Sequence, residues 1–206
     1  LQRLKINIHI QKNYKMKKRS IIQIGLILVS IVLAWLIYDG IRGPIKFLQE
    51  QNRRKEIVVE RLKHIRDAQL AYRNVYAKYT ASFDTLIDFI ENGKIPIIKL
   101  QADPNDTTFT KQIIDTVGYA IVKDSIFKNK DFKTSEIKYI PFSGKIPFDM
   151  NAGTTSRGNV TVNVVEVFAA NKHFLKGLDL ERNNISIDDG LRFGSMTEPT
   201  TDGNWE

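Results

Sequence analysis

Few residues in this chain have side chains that do chemistry. Three histidines occur, His9, His64 and His173. An imidazole acts as metal ligand or general acid–base only with partners, as in the HExxH helix. None of the three sits in such a pattern, and each reads as a surface or turn histidine. With no cysteine there is no thiolate nucleophile, no CxxC zinc site and no disulfide. Phe142-Ser143-Gly144-Lys145 has the outline of a phosphate loop. That motif needs glycine where Tyr139 stands, and Ser or Thr where Ile146 stands. Asp103-Pro104-Asn105-Asp106 opens like a calcium loop, but Thr108 replaces its turn glycine and Ile114 its closing carboxylate. Asp188-Asp189-Gly190 reads as a tight turn rather than an acid–base pair. There is no GxSxG elbow. A catalytic site needs several groups in complementary roles. These residues point to a non-enzymatic protein with no cofactor, no metal site and no catalytic residue.

The elements around these residues are more informative. The chain has 206 residues and a formal net charge of +8. The excess sits at one end: residues 1–19 carry Arg3, Lys5, Lys12, Lys15, Lys17, Lys18 and Arg19, and no acid. The remainder is close to neutral, so the basic face of a nucleic-acid module is missing. Met16 reads as a start, which would make residues 1–15 a leader; otherwise 1–19 is a basic cytoplasmic tail.

Residues 20–38, SIIQIGLILVSIVLAWLIY, contain no charge. At helical rise they span about 28 Å, close to one hydrocarbon core. A soluble core helix of this length keeps a polar face. The following AWLIYDG lacks a small-residue cleavage site. The expectation is an uncleaved anchor in the lipid bilayer. Lys17, Lys18 and Arg19 flank one interface, Trp35 and Tyr38 the other. Arg42, Lys46, Arg53, Arg54 and Lys55 weigh against the N-terminal bases in setting orientation. The short N-terminus and signal-like layout favour an N-terminus in the cytoplasm and export of the bulk. That describes a single-pass protein of the inner membrane with a periplasmic C-terminal domain.

Gly40, Gly43 and Pro44 should interrupt the helix, which restarts near Ile45. Gln49–Glu56 reads as a solvated stalk. Apolar residues then recur at Val58, Leu62, Ile65, Ala68, Tyr72, Val75 and Tyr79, in steps of three or four. This stripe must be covered, either by the chain's own domain or by a partner helix. As an assembly face it is Val58, Leu62, Ile65, Tyr72, Val75 and Tyr79. Ser82 should cap a short helix Phe83–Asn92, ended by Gly93, with Leu86, Phe89 and Ile90 inward. The helical part is thus 45–92.

Residues 94–206 read as a β-rich domain. Candidate strands are Lys94–Leu100 (an edge strand, from Pro96), Val117–Val122, Asp124–Phe127, Ile137–Phe142, Ile146–Asn151, Asn159–Ala169, Ile185–Ile187 and Leu191–Phe193. Gln101–Thr108 is a loop and Ser156–Asn159 a hairpin turn. The valines after Asn159 change parity at Val164-Val165, which marks a bulge or burial on both faces. Gly194–Glu206 should be irregular, with Trp205 as its anchor. The fold class is α+β: a transmembrane helix, an extended amphipathic helix, then a small, mostly antiparallel β-domain.

This layout, with Ile65–Ile90 (IRDAQLAYRNVYAKYTASFDTLIDFI), resembles type IV pilins and secretion pseudopilins. The prepilin cleavage motif and the membrane glutamate of that family do not occur in this sequence. The same block, with Tyr139–Gly144, Phe174–Asp179 and Gly203–Glu206, looks closer to an uncharacterised family of single-pass envelope proteins in Bacteroidota. Asp followed by Thr85, Thr107, Thr116 or Ser125 is similar to the O-glycosylation signal of periplasmic proteins in that group. The pilin-like layout implies a structural or assembly role through contacts with other envelope proteins, further copies included. The Bacteroidota resemblance implies a lineage and an architecture but no activity, and the missing basic face implies no nucleic acid. The rival is a tethered ligand- or glycan-binding domain, which would show a pocket with exposed aromatics.

Overall fold

The computed structural model describes residues 18–102, 112–127 and 133–206. The chain divides into two units, Leu1–Gln49 and Glu50–Glu206. Helix α1 is Lys18–Tyr76 and includes Pro44. The expected interruption at Gly40–Pro44 is therefore corrected. Proline removes one rung from the hydrogen-bond ladder. The apolar run before it and the Glu, Arg and Lys residues after it are good helix formers, and they carry the ladder on through the gap. The helix ends where Ala77 turns left-handed (φ 55°) and donates its N–H to the Arg73 carbonyl at 2.8 Å.

In the first unit, the large apolar residues from Ile21 to Tyr38 are exposed. They point in all directions around the axis. Ser30 Oγ donates to the Leu26 carbonyl at 2.9 Å, so this hydroxyl is satisfied within the helix. The Arg42 guanidinium lies 5.5 Å from the Tyr38 ring centre.

The second unit packs the remainder of α1 against helix α2, Phe83–Asn92, and a three-stranded sheet. Ser82 caps α2 by accepting from the Thr85 N–H, and Leu86, Phe89 and Ile90 are buried, as the pattern requires. Tyr72 meets Phe89 edge to face, with ring centres 5.2 Å apart. The sheet order is β3–β4–β5, with β3 Asp149–Arg157, β4 Val160–Ala170 and β5 Gly190–Gly194, all antiparallel. The β3–β4 register runs from Asp149↔Phe168 to Arg157↔Val160 without a shift. The parity change at Val164-Val165 is therefore burial on both faces, not a bulge. Gly158 takes φ 65° in the hairpin turn, where a side chain would be strained.

A separate two-stranded ribbon pairs β1, Lys94–Ala102, with β2, Gln112–Ile121. Pro96 sits in a strand with a free edge, as expected. Ile97, Ile98, Val117 and Tyr119 are exposed, and the register shifts between Ile97 and Ile98, where Val117 is the unpaired extra residue.

Three expected strands are not strands. Asp124–Phe127 belongs to a one-turn helix, α3, Val122–Ile126. Around Ile137–Phe142 there is a 3₁₀ turn, Thr134–Glu136, and a single bridge, Tyr139↔Pro147. Ile140 N–H reaches the Ile146 carbonyl and Phe148 N–H the Lys138 carbonyl. Pro141 and Pro147 cannot donate, so this hairpin goes no further. Ile185–Ile187 instead accepts bonds from the start of helix α4, Asn171–Phe174: Lys172 N–H donates to the Ile187 carbonyl, and Asn171 Nδ2 to the Ser186 carbonyl. Asp188–Gly190 is thus not a hairpin turn. The calcium-like segment at Asp103 and most of the expected Gln101–Thr108 loop, Thr107 included, lie outside the described residues.

Candidate functional site

Val58, Leu62, Ile65 and Ala68 are 0% exposed, and Tyr72 and Tyr79 are buried. Val75 is half-buried. Tyr79 lies beyond the end of α1, in the turn toward α2. The chain's own domain covers the stripe. Its reading as a free assembly face is corrected, because a side chain with no accessible surface has nothing to offer a partner. Of the interface residues, Trp35 is 63% exposed and Tyr38 is also exposed. Lys18 and Arg19 open α1, and Lys17 lies outside the described residues.

The expected solvated stalk, Gln49–Glu56, is half wrong. Arg54 donates to the Phe174 and Lys176 carbonyls at 3.2 and 2.9 Å. Glu50 accepts from Arg53 Nη2 at 2.7 Å and Arg54 Nε at 2.7 Å. These hydrogen bonds hold the Glu50 carboxyl at about 2, well below its ordinary 4.5. Both guanidinium groups lie 5.1 Å from the centre of the Phe142 ring. In the sequence these arginines count only as charges that bear on orientation, which gives no hint of this role. Nor does any spacing rule join positions so far apart in sequence.

Phe142 forms one wall of a cleft of about 650 Å³, bounded by Arg61, Asp84, Lys138, Tyr139 and Lys145. Its turn is held left-handed at Phe142 (φ 66°), Gly144 (φ 78°) and Lys145 (φ 71°). A bulky residue rarely adopts such a conformation, and it persists only where surroundings enforce it. Buried Ser143 does so: its Oγ donates to the Ile140 carbonyl at 2.6 Å and accepts the Ile146 N–H at 3.0 Å. The segment rejected as a phosphate loop is thus an independently braced turn. Arg61 Nη1 donates to the Glu136 carbonyl and, at 3.5 Å, approaches that of Tyr139. Burial pushes the Arg61 guanidinium below its ordinary value, opposed by the charges of Glu136 and Glu60. Lys138 pairs with Asp84 at 3.2 Å.

Two other polar positions are structural. Gln69, fully buried, donates to the Thr80 carbonyl at 2.6 Å and accepts the Thr80 N–H at 3.1 Å. His64 is buried, not a surface residue, and lies edge-on to Phe127 with ring centres 5.9 Å apart. His173 is half-buried within α4. Thr85, Thr116 and Ser125 are exposed. Among the described residues no group of three His, Asp or Glu side chains is placed to hold a metal ion.

Among the described residues one helix, from Ser20 onward, is long and apolar enough to cross a membrane. No family model, no curated protein and no solved structure matches the chain. The fold therefore defines a class and nothing narrower: an α+β chain with a long apolar N-terminal helix followed by small antiparallel sheets.

Proposed function

We propose that the protein is a single-pass, membrane-anchored envelope protein that acts by contact with other envelope proteins, further copies included, and not by catalysis. The observation that carries this reading is the apolar cylinder Ile21–Tyr38, whose large side chains are exposed on every side. Each such side chain costs about 1.5–3 kcal/mol to leave in water, so the run as a whole costs tens of kcal/mol. A bilayer removes that cost. The order of apolar helix, further helix and small antiparallel sheets is compatible with the pilin-like layout, and we extend the reading to a lineage among the single-pass envelope proteins of Bacteroidota on the resemblance of the sequence alone. Bases flank the apolar run on both sides, and its signal-like layout favours a cytoplasmic N-terminus and a periplasmic domain.

With the stripe in the core, the contact surface of this reading moves to the β1–β2 ribbon. Isolated two-stranded ribbons are marginal in water, and this one exposes Ile97, Ile98, Val117 and Tyr119, the last at 68%. Alkaline extraction, protease protection in spheroplasts and photo-crosslinking from position 119 test the proposal together. The expected result is a carbonate-resistant chain whose domain is cut from the periplasmic side and whose Tyr119 position forms discrete adducts. Release by carbonate, or crosslinks from Leu62 but not Tyr119, would overturn it.

A further inference from the structure

Arg61 sets the problem. Its guanidinium is partly buried at the cleft wall and meets only backbone carbonyls. Among the described residues no carboxylate lies within ion-pair distance of it. The charges of Glu136 and Glu60 act on it without forming a direct ion pair, so its N–H groups beyond those carbonyls are not taken up by a carboxylate. Lys145, at the rim of the same cleft, also has no ion-pair or hydrogen-bond partner for its ammonium among the described residues. Two cations therefore border one cavity, while the cleft's third, Lys138, is already paired with Asp84. The rest of the lining is mixed: the rings of Tyr139 and Phe142 with Ile87 and Pro141 are apolar, while Ser135, Glu136 and Asp84 are polar, so three cations face two carboxylates. Phe142 is still 39% exposed although two guanidinium groups hold its ring. Strain at both Phe142 and Lys145 is the kind of cost that folds retain at binding sites.

We propose that this cleft binds a small molecule bearing an oxyanion, carboxylate or phosphate, on a compact ring. The free N–H groups of Arg61 and the Lys145 ammonium take the oxyanion, through charge-assisted hydrogen bonds. The aromatic wall takes the ring. A rigid ring loses less freedom on binding than a flexible chain, and the cavity lies within the roughly 300–1,000 Å³ range of small-molecule sites. The cleft lies wholly within Glu50–Glu206, so the proposal is independent of the anchor's orientation.

The test is saturation-transfer NMR with titration on the full chain in detergent micelles. Four probes separate the requirements: glucuronate, glucose 6-phosphate, glucose and inorganic phosphate. Saturable binding of glucuronate, glucose 6-phosphate or both supports the proposal and says which oxyanion is preferred. Glucose and inorganic phosphate, each lacking one element, should bind at least about tenfold more weakly. Arg61→Gln also releases two backbone carbonyls, so Lys145→Gln is the decisive variant. It should weaken the better probe about tenfold with an unchanged melting temperature, while Lys176→Gln, outside the cleft, changes nothing. No saturable binding by either anionic sugar overturns the proposal. So does binding that Lys145→Gln leaves intact, or inorganic phosphate that binds as well as the sugars.

Discussion

Between Ser20 and Tyr38, helix α1 carries apolar side chains on every side and exposes them. Between Val58 and Tyr72 it carries a stripe, Val58, Leu62, Ile65, Ala68 and Tyr72, that is buried. Backbone and hydrogen-bond ladder are the same in both stretches. What differs is the number of faces that avoid water. A single apolar face is satisfied by packing on one side, here α2 and the sheet, whereas a helix apolar all round needs an apolar surrounding. The contrast predicts that equivalent substitutions in the two stretches break different properties.

The largest effect belongs to the stripe. Leu62→Asp places a carboxylate where no surface is accessible, and should cost more than about 5 kcal/mol, comparable to a domain's whole stability. Thermal denaturation of the full chain in detergent should then show no cooperative transition for the domain. A milder pair sharpens the comparison: Leu62→Ala should cost about 3 kcal/mol and Leu28→Ala less than about 0.5. Equal losses at the two positions would mean that residues 20–38 are packed within the protein.

The reciprocal change is Leu28→Arg. A charge near the middle of a spanning helix costs about 3 kcal/mol on insertion scales. The carbonate-resistant fraction should fall while the domain's melting temperature stays the same. If the domain melts earlier instead, the two stretches are not energetically separate.

Much of this contrast is legible in the sequence, because it rests on periodicity, which is local. The uncharged run, the three-to-four spacing from Val58 to Tyr72 and the Ser82 and Gly93 signals all map onto the helices that form. Distal strands were harder to read. Tyr139-Ile140 and Pro147-Phe148 have strand-like residues, but their prolines limit pairing to one bridge, and Ile185–Ile187 is claimed by hydrogen bonds from α4. The candidate cleft was not legible at all. Arg53, Arg54 and Arg61 meet Phe142 or its turn across long sequence separations, and nothing in the local pattern distinguishes a cleft arginine from a solvated one. Gln69 was hidden for the same reason: a polar residue inside an apolar stripe makes sense only once the Thr80 backbone is beside it.

Gln69 supplies the next prediction. Its amide ties the last turns of α1 to the loop before α2, in a setting without access to water. Gln69→Ala leaves the Thr80 N–H and carbonyl without this partner and should cost about 2 kcal/mol. Urea denaturation should show a lower midpoint at unchanged slope. A cost below about 0.5 kcal/mol would mean that water replaces the amide there.

The smallest effect lies at Glu50, where the second unit begins. Its carboxyl is held at about 2 by hydrogen bonds from Arg53 and then Arg54, against an ordinary value of 4.5. A carboxylate whose value is depressed by folding stabilises the folded state above its unfolded value. That contribution fades as pH falls from 4.5 through about 2. The Arg53 guanidinium, raised by the same hydrogen bond, stays charged across this window. Glu50 is open to solvent, so salt screening keeps the effect small. Glu50→Gln should therefore melt slightly below the parent chain at neutral pH, and the gap should close as acid protonates the parent's carboxyl. High salt at neutral pH should narrow the gap in the same way. A difference that persists unchanged in acid would locate the loss in the geometry around Phe142, and would make the Arg53–Arg54 clamp a packing device rather than an electrostatic one.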